Sequence, residues 1–315
     1  NGHILLEPTS TNLLTYSEDF SEWASSNATL ESGYAAPDGS TNAYKVTGTV
    51  GSSTVYFAGV PNLSSTSTRT IWARTVSGTG TINLCSYGDN SNNNFTITEE
   101  WQRFEVNETT TSTGESNFYA TDFRFQQPNA LTEIIIWGAQ AENLSYSTSY
   151  IPTLTGSTET RATETATGAG SADLINSTEG VLYAEIAALA DDGENNRNIR
   201  LISSVDNTTY VVVKYGSPPN RLEYQYRTTG HSIQAQFIKD LADVTSFVKI
   251  AATWKSNEFK LFVNGTQVGV TDTSGNVSPA STFNVLEFEN FHGKCKALAV
   301  FDESLSDSEL TQLTT

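Results

Sequence analysis

The segment from Arg197 to Lys239 concentrates the residue types that sugar chemistry requires. It holds Arg197, Arg200, Lys214, Arg221, Arg227 and Lys239 against only Asp206 and Glu223, a net +4 within a chain of net charge −18. Tyr210, Tyr226, His231 and the amides Gln225, Gln234 and Gln236 lie in the same stretch. Guanidinium and amide groups offer paired donors and acceptors to carboxylates and hydroxyls. Arg197, Arg200, Lys214, Glu223, Gln225, Arg227, Gln234 and Gln236 are therefore the glycan-binding candidates. Eliminating across a uronate needs more: a group that neutralises the sugar carboxylate and a base that takes the adjacent proton. Arg227 and Gln234 suit the first role, His231 and Tyr210 the second, and the sequence leaves open which of those two is the base.

These side chains need a surface to stand on. Leu222 to Ile238, LEYQYRTTGHSIQAQFI, alternates apolar and polar residues on both sides of Thr229-Gly230, which predicts a hairpin. With a two-residue loop, Thr228 faces His231, Arg227 faces Ser232 and Tyr226 faces Ile233. Side chains alternate with period 2, and cross-strand partners share a face. One face then carries Leu222, Tyr224, Tyr226, Ile233, Ala235 and Phe237 toward a core. The other presents Glu223, Gln225, Arg227, Ser232, Gln234 and Gln236. A one-residue change in the turn would swap His231 to the polar face.

Other candidates are weaker. A retaining glycosidase needs two carboxyl groups roughly 5–5.5 Å apart. Glu287 and Glu289 share a strand face at roughly 6.6 Å between Cα atoms, but their strand offers no group to neutralise a carboxylate. Asp38-Gly-Ser-Thr-Asn42 has the look of a calcium loop, yet Thr49 stands where an EF-hand needs Glu. His3 sits at the start of the chain, and His292 before Gly293 reads as a structural turn residue. Trp72, Trp101, Trp137 and Trp254 lie in apolar strand contexts and are expected in cores; Trp23 is less committed. No spacing of Cys and His suggests a metal site. No cofactor is required, although a structural calcium held by loop carbonyls would leave no trace in residue spacing.

The 315 residues contain no Met, abundant Thr, Ser, Asn and Gly, and short alternating runs between turn residues. This pattern predicts an all-β chain of two β-sandwiches. Pro152 to Ala172, rich in Thr, Ser and Gly, reads as a linker between domains at 1–151 and 173–315. Helix is scarce: Ser306 and Glu309 have capping-box spacing before Leu310 and Leu313, predicting one short C-terminal helix. Cys85 and Cys295 are expected as buried small hydrophobes. No apolar run of 18 residues occurs, so no membrane-inserting helix is expected. Asn1 reads as an interior start, with residues upstream that could build a homo-oligomer. Residues 1–160 carry 16 acids and 5 bases, and residues 161–315 carry 19 and 12. Such an acidic body repels polyanions generally, which argues against nucleic acid, while its basic island can accept an acidic polysaccharide locally.

In FVKIAATWKSNEFKLFVNGTQV, Phe247 to Val268, one strand carrying Trp254 turns at Ser256-Asn257. A second strand then reaches a tight Asn264-Gly265 turn, where both positions need φ > 0. With the ending ALAVFDESLSDSELTQL, this pattern resembles the laminin-G/concanavalin-A-like jelly roll over Glu179 to Leu313. That resemblance implies a sandwich presenting one sheet face to a glycan. The opening ILLEPTSTNLLTYSEDFSEW resembles a segment of bacteriophage tail and other virion proteins, as do PDGSTNAYKV, RTIWARTVSG, TEEWQRFEV and IIIWGAQAE. The exit ENLSYSTSYIPTLTGSTETRATE fits the same pattern. This second resemblance, over Ile4 to Thr165, implies a carbohydrate-binding-module-like jelly roll in an extracellular or virion-associated protein.

Three functions follow as expectations. The chain recognises an acidic polysaccharide of a bacterial surface or matrix. Alternatively, its C-terminal jelly roll is a polysaccharide lyase acting on a uronate polymer such as alginate, with the first domain as its carbohydrate-binding module. The third is a structural tail-fibre spacer. The Arg, Gln, His and Tyr set is similar to that of jelly-roll alginate lyases. Their Arg-x-Glu-x-Arg and Gln-Ile-His strings are absent, however, and His231-Ser-Ile-Gln234 only echoes the latter.

Overall fold

The computed structural model describes residues 2–51, 55–60, 63–64, 66–86, 93–109, 117–124, 127–191 and 197–315. The chain is all-β and forms two compact units, Thr9–Ala162 and Thr163–Thr315 together with Asn1–Pro8.

The Thr9–Ala162 unit is a sandwich of two five-stranded antiparallel sheets. One orders Gln102–Thr109, Thr66–Arg74, Glu133–Glu142, Ala43–Thr47 and Thr29–Tyr34; the other orders Ala24–Ser26, Val55–Gly59, Asn117–Asp122, Gly80–Ser86 and Asn94–Ile97. Glu159–Arg161 pairs with Ser10–Asn12. Between the sheets lie Phe20, Trp23, Ile71, Leu84, Cys85, Phe118, Ile134 and Ile136. Trp137 is buried elsewhere, in a satellite cluster with Ala36, Ala43 and Ile135, against which Trp72 and Trp101 are only half-buried. Trp137 is thus buried in a core as expected, while Trp72 and Trp101 are only partly covered by it. Trp137 follows Ile136 on its strand, and alternation turns it to the opposite sheet face from the main core.

The second unit stacks two six-stranded sheets. The first sheet orders Ile4–Leu6, Gly293–Phe301, Glu179–Ala188, Val248–Lys255, Lys260–Val263 and Thr266–Gln267. The Asn264-Gly265 turn forms as its sequence requires, with φ of 48° and 78°, so that Val263 pairs with Thr266. Helix α1 (Asp307–Thr314) covers this sheet's outer side, seating Leu310 against Val181, Ala251 and Phe262. Its capping box is complete: the Glu309 amide donates to Ser306 Oγ, and Glu309 Oε2 accepts from the Ser306 amide at 2.8 Å. Ser306→Ala should lower stability by about 1 kcal/mol in urea unfolding; an unchanged midpoint would mean that the cap is not stabilising.

The second sheet consists of β1 (Ala166–Ala169), β2 (Arg197–Ile202), β3 (Tyr210–Gly216), β4 (Arg221–Thr228), β5 (Ser232–Asp240) and β6 (Val285–Glu289), in the order β1-β6-β2-β3-β4-β5. Its inward residues Ile199, Leu201, Val211, Val213, Tyr215, Leu222, Tyr224, Tyr226, Ala235 and Phe237 share one core with Leu182, Ile186, Ile250 and Trp254 of the first sheet and with Phe259 just before its Lys260–Val263 strand. The buried phenols are satisfied: Tyr224 donates to the Thr253 carbonyl at 2.6 Å, and Tyr226 oxygen accepts from the Ser278 amide at 2.8 Å. Cys85 and Cys295 are free thiols, each buried in its own unit's core. Burial pushes the Cys295 thiol up to about 11, so it stays protonated.

Candidate functional site: the outer face of the second sheet

Because β2, β3, β4 and β6 alternate throughout and β5 does so beyond its bulge, the residues not packed inward form a grid on the outer face. Cross-strand registers give three rows: Val285, Ile202, Tyr210, Arg227, Ile233; then Glu287, Arg200, Val212, Gln225, Gln236; then Glu289, Asn198, Lys214, Glu223, Ile238. Six of the eight glycan-binding candidates, Arg200, Lys214, Glu223, Gln225, Arg227 and Gln236, thus share one face.

The hairpin that carries much of this grid differs from its predicted register. Its turn has three residues, Thr229 to His231, with Gly230 and His231 at φ 74° and 60°. Thr228 pairs with Ser232 and Arg227 with Ile233, and a bulge then shifts the pairing so that Tyr226 meets Ala235. The longer turn and the bulge each add one residue, and their sum restores the parity of the strands. Tyr224, Tyr226, Ala235 and Phe237 therefore face inward as expected. Ile233, next to the turn, does not: it is 48% exposed and belongs to the outer row.

Two candidates leave the face. Arg197 pairs with inward Tyr215, is buried, and donates to the Ala190 carbonyl at 2.7 Å. Gln234, at the bulge, accepts from the Asn276 amide at 3.1 Å and donates to Thr228 Oγ1 at 3.2 Å and Ser232 Oγ at 3.1 Å. It fastens a loop and stands apart from the arginine.

The charges on the face are largely matched. Arg200 bridges Glu287 and Glu289, reaching the latter at 2.8 Å. Their own strand offers no cation, and the group that neutralises them comes from the neighbouring strand. Lys214 pairs with Glu223 at 3.1 Å. Burial pushes the Glu223 carboxyl up, but bonds from Gln236, Lys214 and Gln225 outweigh it and hold the group below its ordinary range. Glu223 and Gln225 are only 8% and 4% exposed although they point outward, because neighbouring side chains lie across them.

Arg227 is different. Its Nε donates to Gln225 Oε1 at 2.8 Å and its Nη1 to the His231 carbonyl at 3.4 Å, both neutral acceptors. The guanidinium lies over the Tyr210 ring, 5.8 Å from its centroid, and the exposed His231 ring is 6.1 Å from that of Tyr210. Three of the four proposed catalytic residues, Tyr210, Arg227 and His231, thus meet at one corner of the sheet. The face is net negative at Arg200 and positive at Arg227.

Past that corner the loops enclose an open cleft of about 640 Å³, lined by Val205, Asp206, Thr209, Thr229, Ser278 and Pro279 among others. Asp206 accepts from the Thr208 amide at 2.9 Å and from the Thr208 and Thr209 hydroxyls at 2.6 Å each. These bonds, the hydroxyls' foremost, hold its carboxyl down at about 2. The cleft was not anticipated from sequence, although Asp206-Asn-Thr-Thr209 is a local signal for an Asx-type turn. Among the described residues, no group of three or more His, Cys, Asp or Glu is placed to hold a metal ion.

Residues 186–311 match the family described as the concanavalin A-like lectin/glucanases superfamily. No curated protein shows significant similarity to the chain. Among solved structures, the chain is similar to the CBM40 module of a Ruminococcus gnavus IT-sialidase bound to α2,3 sialyllactose. The identity is 14%, the TM-score 0.37, and 48% of this chain and 94% of that one are covered. Domain 4 of an extracellular arabinanase from Geobacillus stearothermophilus, in complex with arabinotriose, is 12% identical at TM-score 0.33, covering 51% and 75%. Domains LG4-5 of mouse laminin α1 are 9% identical at TM-score 0.30, covering 82% and 90%. The region of the family match, 186–311, holds every residue of the Arg227 corner and most of the sandwich around it.

Proposed function

We propose that the protein is an extracellular glycan-binding protein whose C-terminal sandwich recognises an acidic polysaccharide at the Arg227 corner. The observation that carries this reading is the state of Arg227. Among the described residues its side chain is held by neutral acceptors and backed by Tyr210, whereas Arg200 and Lys214 already contact carboxylates. A uronate carboxylate approaching the face is repelled by the Arg200–Glu287–Glu289 trio and attracted at the other end. Gln236 and Tyr210 supply polar atoms for the sugar hydroxyls along the same rows, and the buried Gln225 holds the guanidinium in place. The N-terminal resemblance to virion proteins supports a bacterial surface or matrix as the source of the polymer, and a virion as the setting.

A second reading, uronate elimination, is favoured by one specific feature. Arg227 can neutralise a carboxylate while Tyr210 and His231, either of which can serve as base, stand beside it. Mixing the protein with polygalacturonate and alginate separates the readings. Binding without a rise in the ultraviolet absorbance of unsaturated uronates is the outcome of the first. A rise that His231→Ala or Tyr210→Phe abolishes is the outcome of the second. Failure to bind either polymer contradicts both.

A further inference from the structure

The rim cleft next to the Arg227 corner differs from the sheet face in charge and shape. Thr209 and Thr228 line it and directly adjoin Tyr210 and Arg227 in sequence, so a polymer lying along the outer row would run into it. Among the described residues no Lys or Arg lines the cleft, and Asp206 is its one charged side chain. A second uronate would be repelled there, while a neutral sugar can donate its hydroxyls to the carboxylate. Hydroxyls of Thr209, Thr229, Ser278 and Ser281 surround an apolar wall of Val205, Val277 and Pro279. That mixture matches a pyranose, which has polar edges and apolar C–H faces.

An independent feature points to a ligand. Ser278 is 3% exposed in the lining, and its Oγ has no hydrogen-bond partner among the described residues. Buried hydroxyls are normally satisfied, and a sugar hydroxyl would supply the missing partner directly or through one water. The surrounding frame is already set. The Ser278 amide is tied to Tyr226, and Ser204 and Asn284 bond each other at 2.7 Å and 2.8 Å. Little ordering cost remains for the protein on binding.

We propose that this cleft is a subsite for a neutral sugar residue adjacent to the acidic residue held by Arg227, so that the target polymer mixes neutral and acidic sugars. The proposal rests on the reading of the face given above. It is tested by saturation-transfer NMR on the full chain, using glucose, galactose, mannose and N-acetylglucosamine at millimolar concentration, with polygalacturonate binding measured on the same samples. At least one neutral sugar should give a signal in the wild type and in Arg227→Ala, and that signal should vanish in Val205→Trp. Val205 lines the cleft and is 94% exposed, so this substitution sets a bulky ring at the cleft's edge without touching a core, and an unchanged melting curve verifies the fold. No signal from any of the four sugars, or a signal that survives Val205→Trp, overturns the cleft. Neutral-sugar binding without polygalacturonate binding upholds the cleft and overturns the face.

Discussion

Trp254→Ala is expected to lower the stability of the C-terminal unit by about 3–5 kcal/mol, the range for deleting a fully buried tryptophan side chain. Trp254 is completely buried at the centre of that unit, with its ring 6.4 Å from that of Phe283 in an edge-on arrangement. Its Nε1 donates to the Asn176 carbonyl at 3.0 Å, so truncation also leaves a backbone acceptor without its partner. The facing Gly180 shows how tightly the ring is held. A Cβ there would lie 2.5 Å from Trp254 Cζ2, so no side chain can swing in to fill the void. Calorimetry or urea titration reads the effect. A loss below about 1 kcal/mol would mean that the sandwich is not packed around this ring.

Arg227→Ala is expected to weaken binding of an acidic polymer by about 1–3 kcal/mol, roughly 5- to 150-fold, the worth of a charge-assisted hydrogen bond. The stability change should stay under about 1 kcal/mol, because the guanidinium sits at the half-buried corner and its removal opens the Gln225 Oε1 and the His231 carbonyl to water. Arg200→Ala should behave in the opposite way. It removes the cation that, among the described residues, bridges Glu287 and Glu289, leaving two carboxylates side by side, and so costs stability. Large destabilisation with unchanged affinity in Arg227→Ala would reverse these assignments.

Much of the fold was legible because local signals and global packing agree. Alternation in LEYQY is strict enough to assign inward and outward residues without a structure, and Asn264-Gly265 and Ser306…Glu309 each specify one backbone geometry. What escaped were features that depend on partners distant in sequence. The pairing of Ile4–Leu6 with Gly293–Phe301 rests on three residues whose own pattern is indistinct. The His231 turn could not be measured from Thr229-Gly230 alone, because Thr-Gly does not select between two- and three-residue loops as Asn-Gly does. The basic island read as a cationic surface because Glu287 and Glu289, which neutralise Arg200, lie 87 and 91 residues from their contacts with β2. Composition marked the candidate segment; only cross-strand register showed which of its cations lacks a carboxylate partner among the described residues.

The central claim is that Arg227 meets a sugar carboxylate. Titration of the wild-type chain with polygalacturonate and with its fully methyl-esterified form tests this most directly, since esterification removes the charge and keeps the sugar ring. A charge-assisted bond exceeds a neutral one by about 1.4 kcal/mol, so the acid form should bind about tenfold more tightly. That preference should shrink as salt is added and disappear in Arg227→Ala. Equal affinity for the two forms, or a preference that survives in Arg227→Ala, would contradict the account.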